Sequence, residues 1–163
     1  MDLTIRPAVP DDVAAVHALR QAAADWLEGR GIQQWRRDDT PLETVEAQVE
    51  RGEWQVAVAR GAVRAALRLL TWDNEWPPDG VRACYVHGLM IDRSQEGTGL
   101  GARLLSWAAD HARRVGAETL RLDCVETNVR LRQYYTGQGF RPVGRVAYAA
   151  PWHSVVLLER TIA

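Results

Sequence analysis

Tyr85-Val86-His87-Gly88-Leu89-Met90-Ile91-Asp92-Arg93-Ser94-Gln95-Glu96-Gly97-Thr98-Gly99-Leu100-Gly101-Ala102-Arg103-Leu104-Leu105 decides how this chain is read. The apolar run up to Ile91 reads as a buried strand. The glycines at 97, 99 and 101 read as a tight turn that lets a ligand approach the backbone. Leu104, Leu105, Ala108, Ala112 and Val115 then recur at helical spacing. A helix start carries unpaired N–H groups and the positive end of the helix dipole, so the turn is built to hold an anion, above all a phosphate.

Upstream, Leu3 to Pro7 alternates as a first strand. Pro10, Asp11 and Asp12 form a favourable helix start, and Val13, Val16, Leu19/Arg20, Ala23 and Leu27 mark one apolar face. That helix ends at Gly29 or Gly31, and Gly31 to Trp35 is a loop. Thr40-Pro41-Leu42-Glu43 reads as a capping box that opens a short helix through Val45 and Val49 to near Gly52. Trp54–Ala59 and Ala62–Trp72 are expected to form a hairpin turned at Arg60-Gly61, followed by a loop over residues 73–80.

Downstream, Gly116 closes the helix and Thr119–Val125 is the next strand. Thr127 or Asn128 caps a short helix through Leu131, Tyr134 and Tyr135, which Gly139-Phe140-Arg141-Pro142 breaks. Val143–Ala149 and Val155–Glu159 close the chain as two strands joined across Ala150-Pro151. The expected order is β-α-α-β-β-β-α-β-α-β-β. This is an α/β fold with a mixed, mostly antiparallel sheet, parallel strands 4 and 5, and helices on both faces.

A length of 163 residues suits one domain, 1–163, with one sizeable core. A net charge of −1 argues against broad nucleic-acid binding. No apolar run is long enough to span a membrane, and the N-terminus lacks the apolar core of a signal peptide, so the expected location is cytoplasmic. All 20 basic side chains are arginine, which leaves no lysine to modify. Cys84 and Cys124 fall in buried strands and read as small reduced core residues. The four histidines, at 17, 87, 111 and 153, form no metal-ligand pair, and no metal is expected.

Two signals compete for the glycine turn. Gly97-x-Gly99-x-x-Ala102 fits the loose dinucleotide-binding pattern of a nucleotide-dependent oxidoreductase. Against it, the turn falls late in the chain, the closing strands are antiparallel, and Asp123 sits inside a strand rather than at its end. The other signal lies about thirty residues on, where Asn128-x-x-Leu131-x-x-x-Tyr135-x-x-x-Gly139-Phe140 follows a strand directly. Together the two motifs resemble the GCN5-related N-acetyltransferase (GNAT) superfamily over nearly the whole chain.

That resemblance implies acetyl-CoA as co-substrate, lying in a V between strands 4 and 5. Its pantetheine would pair with backbone at Leu89, Met90 and Ile91, and its diphosphate would sit on N–H groups of Gly97, Thr98, Gly99, Leu100, Gly101 and Ala102. Asn128 would touch the pantetheine arm, and Tyr135 would protonate the leaving thiolate. Glu96 stands where the family carries Gln or Arg. It is expected to face solvent, with Gln95, Arg93 or Arg103 supplying a polar contact; Leu131 replaces an alanine. Tyr134 reads as core.

His87 has the chemistry of a general base near neutral pH, and also of a hydrogen-bonded core histidine; both readings stand. Glu126, Asp123 or a water chain could serve instead. Trp26, Trp54 and Trp107 fit core faces. Trp35, Trp72 and Trp76 flank the acceptor side by resemblance; they read either as ordinary packing or as an aromatic wall where Asp73 or Glu75 would hold an ammonium. The expected activity is acetyl transfer to a primary amine of a small molecule or peptide by direct attack, with a homodimer allowed by the family. The alternative is a non-catalytic CoA-binding sensor or partner module, which Glu96 keeps open.

Overall fold

A computed structural model describes residues 2–163. The element order is β1 (Leu3–Pro7), α1 (Val13–Glu28), α2 (Leu42–Glu50), β2 (Trp54–Ala59), β3 (Ala62–Leu70), β4 (Ala83–Ile91), α3 (Leu100–Arg114), β5 (Thr119–Val125), α4 (Val129–Gly137), β6 (Arg141–Val146) and β7 (Val155–Thr161). The seven strands are ordered β1-β2-β3-β4-β5-β7-β6. The β1–β2, β2–β3, β5–β7 and β6–β7 pairs are antiparallel, whereas β4 and β5 run parallel. This is the mixed sheet expected above, and not the all-parallel sheet of a dinucleotide-binding fold.

The chain divides into two compact units. The first comprises the chain up to Leu69 and Gly88–Trp107; the second comprises Leu70–His87 and Ala108–Ala163. The core of the first unit gathers Val16 of α1, Val45 and Val49 of α2, Trp54 and Val56 of β2, Ala66 of β3 and Met90 of β4, with Trp35 packed against it. Helix α1 buries Val16, Arg20, Ala24 and Leu27, so its core stripe carries a guanidinium where Leu19 competed for the place. Ala23 is displaced from that stripe by Ala24. Helix α2 begins one residue later than its sequence suggests: Pro41 is the N-cap and no side chain caps it. The Thr40–Glu43 capping box is therefore not formed.

In the second unit Trp76, Ala83, Tyr85 and Leu157 form a buried cluster with Leu70, Val146 and Val155 against it. Trp76, read from the sequence as an acceptor-side aromatic, is instead a core residue. Arg121 of β5 explains why. Its guanidinium, 3% exposed, lies 4.4 Å over the Trp76 ring and 2.6 Å from Asp79. It also reaches Glu159 at 3.3 Å and Tyr85 Oη at 3.4 Å. A buried guanidinium needs such a set of acceptors, so the loop carrying Trp76 and Asp79 is drawn onto the sheet.

Boundaries moved at three further places. β3 ends at Leu70, leaving Trp72 exposed beyond it. β6 starts at Arg141 because, as the last strand of the sheet, it tolerates Pro142. Helix α3 ends at Arg114 and leaves Val115 exposed, although Leu104, Leu105, Ala108 and Ala112 are buried as their spacing requires.

One residue in β4 has left-handed backbone: Gly88, at φ +57°. A Cβ built there would stand 2.8 Å from Cη2 of Trp54, whose Nε1 donates to Gln48 on α2. A side chain is excluded twice, by the dihedral and by the ring. Gly88→Ala is expected to lower stability by about 3 kcal/mol, the left-handed penalty plus displacement of a pinned indole, as read by urea unfolding.

Candidate active site

The first unit holds the glycine turn. Asp92 accepts from Ser94 N–H and caps a short 3-10 turn over Arg93–Gln95. Gly97 and Gly99 then take φ of +74° and +77°, with open space where a Cβ would point. Arg103 N–H donates to Gly99 C=O, the first bond of α3. The N–H groups of Leu100, Gly101 and Ala102 precede any intrahelical acceptor and converge at the helix start. The space left beside Gly97 and Gly99 and the unpaired N–H groups fit a diphosphate. Glu96 is turned away to Arg93, 2.5 Å distant, and is well exposed. Its charge is thus engaged by the arginine. Leu89, Met90 and Ile91 follow Gly88 along β4.

The second unit gathers the titratable residues. His87 on β4, Asp73 on the loop before it and Asp123 on β5 place a ring nitrogen and two carboxylate oxygens within 4.8 Å of one another. His87 Nε2 stands 2.9 Å from Asp73 Oδ2, off the line of a straight hydrogen bond. Asp73 is held in turn by Glu75 N–H, 2.8 Å from its other oxygen. Asp73, read from the sequence with Glu75 as a holder of the acceptor's ammonium, faces His87. Burial pushes the Asp123 carboxyl above the ordinary carboxylate range; the charge of His87 opposes this, and Asp73 and Glu75 add to it. Tyr148, on the connection after β6, donates from its hydroxyl to Glu75. Burial and that hydrogen bond push its phenol up to about 12. Tyr148 carried no motif in the sequence, and its role here comes from a partner on a distant loop.

Tyr135 is buried on α4, edge-on to Tyr134 at 5.5 Å and to Phe140 at 5.8 Å between ring centroids. Burial raises its phenol far above the ordinary value, with Cys124, Tyr134 and Asp123 adding to the shift. The group thus stays protonated across the neutral range, as a proton donor requires. Tyr134, read as core, is partly exposed. Asn128 is the N-cap of α4, its Oδ1 accepting from Leu131 N–H at 3.2 Å. Glu126, another candidate base, is engaged by Arg145 at 2.6 Å. Cys84 and Cys124 are buried and free, and burial, then the charge of Asp123, pushes the Cys124 thiol up to about 11.

Of the remaining tryptophans, Trp54 is buried, whereas Trp26 and Trp107 are half-buried. Trp26 lies under the guanidinium groups of Arg30 and Arg93 at 4.5 and 4.1 Å. Trp35 lies under Arg20 at 4.2 Å. No helix among the described residues is long and apolar enough to cross a membrane.

Comparison with known proteins agrees with this architecture. Residues 16–140 match the model of the Acetyltransferase (GNAT) family. The uncharacterized N-acetyltransferase YesJ of Bacillus subtilis (strain 168) is 31% identical over 164 residues, covering 96% of this chain and 88% of that one. A GNAT-family acetyltransferase from Listeria monocytogenes superposes with a TM-score of 0.79 at 24% identity, over 98% of this chain and 94% of that one. The yncA protein of Salmonella typhimurium, whose structure contains acetyl-CoA, gives 0.76 at 20% identity, over 100% of this chain and 95% of that one.

The raised Asp123 carboxyl carries a sign. A carboxyl raised on folding destabilises the fold increasingly as pH climbs above its unfolded value. Asp123→Asn should therefore be more stable than the parent, by a margin that grows from about pH 4 upward. Thermal unfolding of both proteins between pH 4 and pH 8 checks this, and a margin that shrinks with pH would refute it.

Proposed function

Because this chain belongs to the GNAT acetyltransferase family, we propose that it moves an acetyl group from acetyl-CoA to a primary amine by direct attack. The match over residues 16–140 carries the reading, because it spans both the glycine turn and Tyr135.

Acetyl-CoA supplies the acyl group as a thioester. The N–H groups of Gly97 to Ala102 hold its diphosphate, and the backbone of Leu89, Met90 and Ile91 lies along the pantetheine, with Asn128 on the arm. A backbone N–H near Leu89 faces the carbonyl oxygen as negative charge develops there. His87, whose Nε2 faces Asp73, takes the proton of the attacking amine at its other ring nitrogen, and the carboxylates of Asp73 and Asp123 stabilise the resulting imidazolium. Tyr135 Oη gives a proton to the sulfur. Trp72, exposed beside Asp73, forms a wall for the acceptor. The free, buried cysteines fit a cytoplasmic setting. The feature that favoured a non-catalytic CoA-binding module was Glu96, and its ion pair with Arg93 supports the catalytic reading over that one.

Tyr135→Phe should lower turnover at least about tenfold with little change in acetyl-CoA binding, and His87→Ala should lower it by about a hundredfold. Release of free thiol with a panel of amines reads turnover; calorimetric titration reads binding. Equal turnover in parent and Tyr135→Phe would remove the phenol from the mechanism.

A further inference from the structure

In the second unit, carboxylates are fastened mainly by arginine: Asp79 by Arg121, Glu126 by Arg145, and Glu159 by Arg121 and Arg141. Glu75, on the loop between β3 and β4, is fastened differently. It accepts from the hydroxyl of Tyr148, on the connection between β6 and β7. That connection is itself tied down. Tyr148 N–H donates to Ser154 Oγ at 3.1 Å, and Glu126 N–H donates to Ser154 C=O at 3.0 Å. Burial and the bond to Glu75 push the phenol up to about 12, so it remains a donor across the neutral range.

From Glu75 the contacts lead to His87. Glu75 N–H donates to Asp73 Oδ1 at 2.8 Å, and Asp73 Oδ2 stands 2.9 Å from His87 Nε2. Asp123 of β5 offers an oxygen within 4.8 Å of both. Asn74 and Glu75 are exposed, so little packing holds this part of the loop, and its place depends on such polar ties. The chemistry of the donor matters as much as the bond. A guanidinium in place of the phenol would fasten Glu75 too, but it would set a positive charge beside a ring that must itself become positive. A neutral hydroxyl fastens the loop and leaves the acidic surroundings, Asp73, Glu75 and Asp123, as they are.

We propose that Tyr148 is a positioning residue for His87: its neutral hydroxyl fastens Glu75, and through Glu75 it holds Asp73 against the imidazole. The inference rests on the acetyl transfer proposed above, in which His87 takes the proton of the amine. Tyr148 touches no reacting atom. It makes the connection between β6 and β7 part of what prepares the base.

Two measurements test it. Hydrogen exchange at the Glu75 N–H, followed by NMR with no substrate present, reads the hold on Asp73. Tyr148→Phe should speed that exchange about threefold or more, whereas Glu75→Gln, whose amide oxygen still accepts from the phenol, should leave it within about twofold. Thiol release from acetyl-CoA with a panel of amines reads the consequence. Tyr148→Phe should lower kcat about fivefold with the KM of acetyl-CoA within about twofold, and in a His87→Ala background the same change should do nothing further. Glu75→Ala, which removes the acceptor instead of the donor, should reproduce both effects and decides alone should Tyr148→Phe not fold. Unchanged exchange, a kcat equal to the parent's, or the same loss with His87 already gone would each overturn the proposal. Thiol release by the parent with unchanged exchange in Tyr148→Phe would overturn it and leave the acetyltransferase reading standing. No thiol release from any amine, with the faster exchange present, would remove that reading and leave Tyr148 as the residue that holds Asp73 against His87.

Discussion

The second unit is organised by the need to satisfy one buried charge. Taking a guanidinium out of water costs several kcal/mol unless acceptors replace the lost hydration. At Arg121 burial pulls the proton affinity down, yet the hydrogen bonds to Asp79 and Tyr85 and the charge of Asp79 more than reverse this. The acceptors come from β4, β7 and the loop after β3, so the cation ties three separate stretches of chain to β5. Trp76 closes over it as a lid of carbon.

The same loop presents the acids of the site. Between Trp72 and Asp79 it supplies Asp73 to His87, Glu75 to Tyr148 and Asp79 to Arg121. Each carboxylate is anchored on a different element, and Asp73 O and Asp73 Oδ1 further receive Trp76 N–H and Glu75 N–H. A stretch rich in proline and short polar residues, ordinarily a mobile connection, is thereby held at several points. The imidazole and its carboxylate neighbour owe their spacing to contacts made several residues away.

Much of this was legible because it depends on local pattern. The glycine turn, the α3 stripe of Leu104, Leu105, Ala108 and Ala112, and the apolar run of β5 are properties of neighbouring residues, and they stand where the sequence puts them. The register of Tyr135 on α4 was equally readable, since Asn128 caps that helix as its residue type suggests. Arg20 and Arg121 were not. A buried arginine is recognisable only with its partners, and Arg121 is 42 residues from Asp79. Trp76 was misplaced for the same reason, because its loop looks solvent-borne until Arg121 is beneath it. Thr40 failed as a cap because a 3-10 turn over Arg37–Asp39 carries the chain past it.

The Trp54 ring under Gly88 has a quieter consequence. The indole is fastened at one edge to Gln48, and at the other it occupies the place of a side chain. The left-handed residue in β4 is therefore held by packing as well as by its own dihedral, and that packing sets the direction of the amides and carbonyls just beyond it. Any side chain larger than a hydrogen at that point would have to move the indole first.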